Sequence, residues 1–392
     1  MPKSIVSRLL TVYLLITFVF PVHLHASDLQ RIIVEKSNNH RLSNAYQRMF
    51  LPTHIDSQEM FALKAYAGLK IKPRQRDEME NLLAVAVWVH QRWKHDPYGI
   101  ATPDTTALEI LQRAEQGARF SCTEYSKVLR DLYRAHGYVA RLATLQAPDI
   151  AYSGLGTAHV AVEVYSSRLD KWIFIDPQWG LYPQHRGLAI NLYEYFQLKS
   201  QGRQKEVHFV PLKKGLLSNA EQEAVAYREF LHQHLGYLSV DLTTDEEQVH
   251  VLLAMEGRSW PLTFQGLPRN AQIYSSDPQD LYFDMNRVSL VLNFRYEAQP
   301  LSRLNIDYGS EQEYLQKMPM FAAVPDFIVH AHNNMPWFSH YIYRTGGGKW
   351  KTVQQDSWDW TLHKGENLLE VRAVNTQGIM GPTTFFRIYY GR

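Results

Sequence analysis

The chain has 392 residues, 45% of them hydrophobic, and its 41 basic and 39 acidic side chains give a formal net charge of +2. That length suits two or three domains with a core in each, and the balanced charge lacks the basic footprint that nucleic acid or an anionic membrane surface selects. Cysteine occurs once, at Cys122, so no disulfide framework can form within the chain.

In chain order, the first 26 residues read as a signal peptide. Lys3 and Arg8 flank an apolar run from Leu9 to Phe20, then come Pro21 and a cleavage point after Ala26. The run is shorter than the roughly 20 apolar residues a membrane-spanning helix needs, although Leu24 is not the small residue preferred in an A-x-A-type site, which leaves an uncleaved anchor as the alternative. No cysteine lies near the cleavage point, which excludes a lipid anchor there. Removing the segment leaves 39 basic and 39 acidic residues. The expected location is periplasmic or extracellular, and a single unpaired thiol sent to an oxidising compartment is a candidate nucleophile.

Residues 27 to 115 read as mainly helical. Leu82, Leu83, Val85, Ala86, Val89 and Trp93 approximate a one-sided stripe, stopped by His95, Asp96, Pro97, Tyr98 and Gly99, and a second helix runs from about Thr105 to Glu115. Tyr125, Val128, Leu129, Leu132 and Tyr133 then recur at helical spacing before Gly137, placing Cys122 at a helix N-terminus. There the helix dipole and unpaired N–H groups favour a thiolate and can hold an oxyanion. A free cysteine in that position also serves as a small buried apolar residue, and position alone does not separate the two.

From Tyr138 to Asp176 the period shortens to two. Val160, Val162 and Val164 share one strand face; His159, Ala161, Glu163 and Tyr165 share the other; Trp172, Phe174 and Asp176 share a face of the next strand. A four-residue loop at Ser166 to Leu169 would set Tyr165 opposite Asp170 and His159 opposite Asp176, close enough for a carboxylate to fix one imidazole tautomer. A slip of one residue would destroy the pairing. Alone, His159 reads as a half-buried strand residue and Asp176 before Pro177 as a turn former. Together with Cys122 they supply a nucleophile, a base and an orienting acid.

A helical bridge at about Ala220 to Leu235 leads into a strand-rich remainder, where Asn367 to Arg372 and the turn at Asn375 to Gly378 suit a small β-sandwich. Boundaries near 240 and 315 divide the mature chain into a helical N-terminal segment plus catalytic domain over 27–240, a β-rich domain over 241–315 and a sandwich-like domain over 316–392.

The order Cys122, His159 within HVAVEV and Asp176 within KWIFIDPQWG resembles the transglutaminase-like superfamily, with the Trp88 helix, ALEIL from Ala107, and Gly137 before Ala140 and Arg141 matching that pattern over about residues 80 to 185. The resemblance implies an α+β fold with a papain-like core, a helix-borne cysteine packed on an antiparallel sheet carrying His159 and Asp176, followed by a β-sandwich-like C-terminal region. It implies Cys122 as nucleophile, His159 as general base and acid, and Asp176 as orienting carboxylate. Two positions depart from it: Phe120 stands where glycine is common, and Ala161 where an aromatic residue often follows the histidine. The superfamily includes cross-linking enzymes, proteases, amidases and members without activity.

A second oxyanion donor is expected from Trp88, Gln91 or Tyr98, which the sequence does not rank. Trp88, Trp93, Trp172 and Trp179 either line a cleft or fill the core, and Glu163 either supports His159 or pairs with Arg141. His330 and His332 share a strand face but lack a third ligand, so no metal or other cofactor is expected; Gly346 to Gly348 read as a turn. The expected partner is a protein or peptide substrate, with the C-terminal β region attaching to a cell-envelope polymer. The expected activity is cysteine-dependent hydrolysis or acyl transfer at peptide or glutamine amides, and the alternative is a non-catalytic envelope scaffold with a vestigial triad.

Overall fold

A computed structural model describes residues 31–39, 57–71, 78–150, 156–243, 248–254, 271–295, 309–310, 312–313 and 325–391. The segment read as a signal peptide lies outside them.

Four helices precede the central sheet: α1 (Gln58–Ala67), α2 (Glu78–His90), α3 (Ala107–Glu115) and α4 (Cys122–Ala135). Their starts follow from local chemistry. Ser57 caps α1 by accepting from the Met60 N–H, and Thr106 and Glu109 form a reciprocal capping box on α3. Ser121 caps α4 by accepting from the Thr123 N–H. Gly137, at φ +86°, follows the end of α4, in a conformation that costs glycine nothing.

The strands β2 (Ala140–Gln146), β3 (Ala158–Ser166), β4 (Lys171–Ile175), β8 (Tyr237–Thr243), β9 (Gln248–Ala254) and β10 (Ala271–Ser275) make a six-stranded sheet ordered β10-β9-β8-β2-β3-β4. All its pairs are antiparallel except β9 with β10. Strand alternation sends Val162, Val164, Ile173 and Ile175 into a core with Leu82, Val85, Ile110, Val128 and Leu129 of the helices. Ala161, Tyr165, Trp172 and Phe174 enter a second core with residues of α5 (Leu192–Ser200) and α6 (Ala220–Gln233). Helices cover both faces, so each buried large apolar side chain contributes roughly 1.5–3 kcal/mol. A small sheet of β5 (Leu181–His185), β6 (Leu188–Ala189) and β7 (Val207–Pro211) flanks this core.

At the C-terminus, β11 (Ser289–Phe294), β12 (Asp326–His332) and β15 (Ser357–Thr361) form one sheet. The other contains β1 (Arg31–Ser37), β13 (Phe338–Thr345), β14 (Lys351–Val353), β16 (Gly365–Asn375) and β17 (Thr384–Gly391), ordered β1-β17-β16-β13-β14. Val329, Ala331 and Trp360 from the first sheet share a core with Leu369, Val371 and Ile388 from the second, which is sandwich packing.

Three expectations need correction. The β3–β4 loop is Ser167 to Asp170, not Ser166 to Leu169, so Tyr165 pairs with Trp172 and the register is displaced by two residues. Glu78 draws the chain into this turn by accepting from the Ser166 hydroxyl at 2.5 Å and from the Ser167 and Arg168 N–H groups. The expected boundary at 240 falls within β8, where Val240 pairs with Ala143, and the strands expected in a separate 241–315 domain divide between the central sheet and the sandwich. Finally, within the region read as mainly helical, Arg31–Ser37 is a strand, because β1 pairs antiparallel with β17.

Candidate active site

Cys122 is the first residue of α4 and is half-buried. Its approach is fixed on both sides: the Ser121 hydroxyl donates to Glu124 Oε2 at 2.7 Å, and Glu124 Oε1 accepts from the Ala101 N–H at 2.8 Å. The Ser126 hydroxyl of α4 donates to Val160 O at 2.8 Å, tying the helix to the start of β3 beside His159. The Cys122 sulfur hydrogen-bonds to the His159 ring and accepts from the Val160 N–H. Its own backbone N–H, one of the donors a helix start leaves unpaired, has no acceptor among the described residues.

His159 Nε2–H donates to Asp176 Oδ2 at 2.6 Å, with His159 2% exposed and Asp176 fully buried. That leaves Nδ1 as the ring nitrogen for the thiol. The two-residue register displacement preserves strand parity, so both side chains remain on one side of the sheet. Every acceptor position of the Asp176 carboxylate is engaged: Oδ1 takes the Gln178 N–H at 2.9 Å and the Trp179 N–H at 3.0 Å, and Oδ2 takes the Tyr227 hydroxyl at 2.7 Å besides the imidazole.

Burial pushes the Cys122 thiol up, but its hydrogen bond to His159, the charge of that ring and the Val160 N–H outweigh burial, so the thiol lies below its ordinary value of 9.0; the Asp176 charge opposes them. Burial pushes His159 down, and the charge and hydrogen bond of Asp176, with the Cys122 contact, overcome it and carry the imidazole up to about 10. Both directions favour a thiolate–imidazolium pair over the neutral pair.

The other expected site residues divide. Trp179 lies beside the dyad, its ring 5.1 Å from Tyr227 and 5.3 Å from Phe230, whose edge abuts His159 at 5.0 Å. Tyr98 is 80% exposed on the segment bonded to Phe120 and Ser121. Trp88 instead packs against the helical core beneath the Arg92 guanidinium, and Gln91 is exposed. Glu163 does not belong to the cleft. It is fully buried and paired with Arg141 at 2.7 Å, with the Tyr282 hydroxyl and Leu192 N–H as further donors. Trp172 is core, with Arg141 stacked 3.9 Å from its ring centroid. Phe120 and Ala161 are also core residues; Phe120 meets Trp93 edge-on at 5.6 Å.

Tyr227 and Phe230, one turn apart on α6, were not legible as site residues, since nothing local links a downstream helix to Asp176. Their only sequence signal is an aromatic i, i+3 pair. His95, read only as a helix terminator, forms a backbone bridge with Phe120 and lies in the electrostatic reach of His159 and Asp176.

Residues 68–177 match the model of the transglutaminase-like superfamily. Among solved structures, the chain is similar to a candidate cysteine protease from Cytophaga hutchinsonii, at 16% identity over 38% of this chain and 49% of that one, with a TM-score of 0.25. It is also similar to the transglutaminase of red sea bream, at 12% identity over 89% of this chain and 60% of that one, with a TM-score of 0.23. The chain thus spans between about half and three-fifths of these two proteins. No curated protein matches it.

Proposed function

We propose that this protein is an exported, transglutaminase-like cysteine hydrolase or acyltransferase that acts on peptide or glutamine amides through a thioester on Cys122. The observation that carries the reading is the continuous chain of hydrogen bonds from the Cys122 sulfur through His159 to Asp176, in a region matching that superfamily. In this mechanism the Cys122 thiolate adds to the amide carbonyl carbon, and the carbonyl electron pair moves to oxygen. Collapse of that adduct breaks the C–N bond as His159 gives its Nδ1 proton to the departing amine. His159 then takes a proton from water or an acceptor amine, whose attack on the thioester releases the acyl group, expels the sulfur as thiolate and restores the starting thiolate–imidazolium pair. Asp176 holds the imidazole with Nδ1 toward sulfur throughout.

Hydrolysis is preferred to cross-linking, since water is always present and no lysine-donor site is marked in the sequence. The substrate is then a protein or peptide in the periplasm or outside the cell, and the C-terminal sandwich attaches the enzyme to an envelope polymer. The test is mass spectrometry of a glutamine-containing peptide incubated with the protein, with and without hydroxylamine. A mass change abolished by Cys122→Ala supports the reading, and the hydroxamate fraction separates transfer from hydrolysis; peptide left intact under both conditions refutes it. Sequencing of the mature N-terminus should begin at Ser27.

A further inference from the structure

The segment between α2 and α3 is fastened to the residues that lead into Cys122. His95 bridges Phe120 in parallel fashion, the Asp96 N–H donates to Phe120 O at 3.0 Å, and the Ser121 N–H donates to Gly99 O at 2.9 Å. The backbones are so close that a Cβ on Gly99 would stand 2.1 Å from Arg119 O. Paired backbones run about 4.8 Å apart, so His95 is anchored beside a residue only two positions before the nucleophile. Its imidazole is exposed and makes no hydrogen bond to a described residue.

The same ring lies within the electrostatic reach of both His159 and Asp176. Partial desolvation by neighbouring residues and the positive charge of His159 lower the His95 pKa below its ordinary 6.5, with Asp96 and Asp176 opposing. The ring is therefore neutral at pH 7 and retains one N–H donor without setting a second cation beside the imidazolium. The Cys122 backbone N–H likewise has no acceptor among the described residues. A main-chain N–H at the nucleophile and a side-chain N–H on the segment paired to the residues before it are the parts of an oxyanion pocket.

We propose that His95 donates a hydrogen bond to the oxyanion formed when Cys122 adds to an acyl carbonyl, making it a catalytic residue alongside the triad. The proposal rests on the acyl-transfer reading above. As the sulfur–carbon bond forms, the carbonyl electron pair moves to oxygen, and the Cys122 N–H and His95 ring N–H bind the resulting anion. When the pair returns and expels the leaving group, both donors keep their protons.

Two probes of the sulfur separate this role from thiolate formation. p-Nitrophenyl acetate acylates through a tetrahedral oxyanion and releases p-nitrophenolate in a burst. Iodoacetamide reacts at a saturated carbon and forms no oxyanion. His95→Ala should slow the burst by about 10²-fold and leave the iodoacetamide rate unchanged, and His95→Gln, which restores a side-chain N–H, should recover part of the loss. Equal burst rates in wild type and His95→Ala would overturn the proposal, as would equal slowing of both probes or a Gln variant no better than Ala. A wild-type protein that iodoacetamide labels but the ester does not acylate would refute the acyl-transfer reading itself, and the proposal with it.

Discussion

Asp176→Asn is a severe substitution at this site although it is nearly isosteric. The carboxylate accepts four hydrogen bonds, two backbone N–H groups on Oδ1 and the His159 and Tyr227 donors on Oδ2. An amide must replace one oxygen by NH2, so in either orientation two donors face another donor in a fully buried position. An unsatisfied buried donor costs about 1–3 kcal/mol, so the two together should cost about 2–6 kcal/mol in urea unfolding. If the NH2 turns toward His159, the ring must present Nε2 as an acceptor and move its proton to Nδ1, where it cannot receive one from the thiol. A tautomer error of that kind costs about 10⁴-fold in the serine-protease triad. The expected outcome is a drop of 10²-fold or more in the p-nitrophenyl acetate burst together with the stability loss. A variant with wild-type burst and wild-type unfolding midpoint would refute the geometry on which this reasoning rests.

Tyr227→Phe removes one donor from Asp176 Oδ2 while keeping the ring that packs on Trp179; a bond to a buried charge makes the expected loss about 1.5–3 kcal/mol in urea unfolding. Glu163→Gln breaks the buried pair with Arg141 and should cost about 3–5 kcal/mol. Its folded fraction should still react with iodoacetamide at the wild-type rate, because Glu163 is core and not cleft. In a Cys122→Ala background, His159 retains its partner Asp176, and a folded pKa that Asp176 raises above the ordinary 6.5 contributes stability that is complete below about 6.5 and lost as pH rises through the raised value. The unfolding free energy of Cys122→Ala, minus that of Cys122→Ala/His159→Ala, should therefore fall over that interval; a flat difference would contradict the assigned shift.

Much of the central region was readable because its signals are local. Thr106 with Glu109 marks the start of α3, and the stripe from Tyr125 to Tyr133 marks α4 with Cys122 at its N-terminus. Strand alternation placed His159 and Asp176 on a common face, and that inference survived a register error because the error was an even number of residues. What sequence could not show depends on contacts between distant segments. Ser166 belongs to the strand because Glu78, 88 residues earlier, binds the turn. Arg31–Ser37 is a strand because β17 offers it an edge, and residues beyond 240 extend the central sheet because β8 pairs with β2. Tyr227, 51 residues after Asp176, reaches the carboxylate only once α6 covers the sheet.

The account stands on sulfur and imidazole sharing a proton in the folded protein, and the most direct measurement is the iodoacetamide rate of native protein against pH. The thiol is held below 9.0 chiefly by His159 against the opposing effect of burial. The midpoint of the rate profile should therefore lie below pH 9, and His159→Ala should move it upward, past its wild-type position, because burial then acts unopposed by the ring. A sulfur that reacts only after denaturation, or an inflection that His159→Ala leaves in place, would contradict the account.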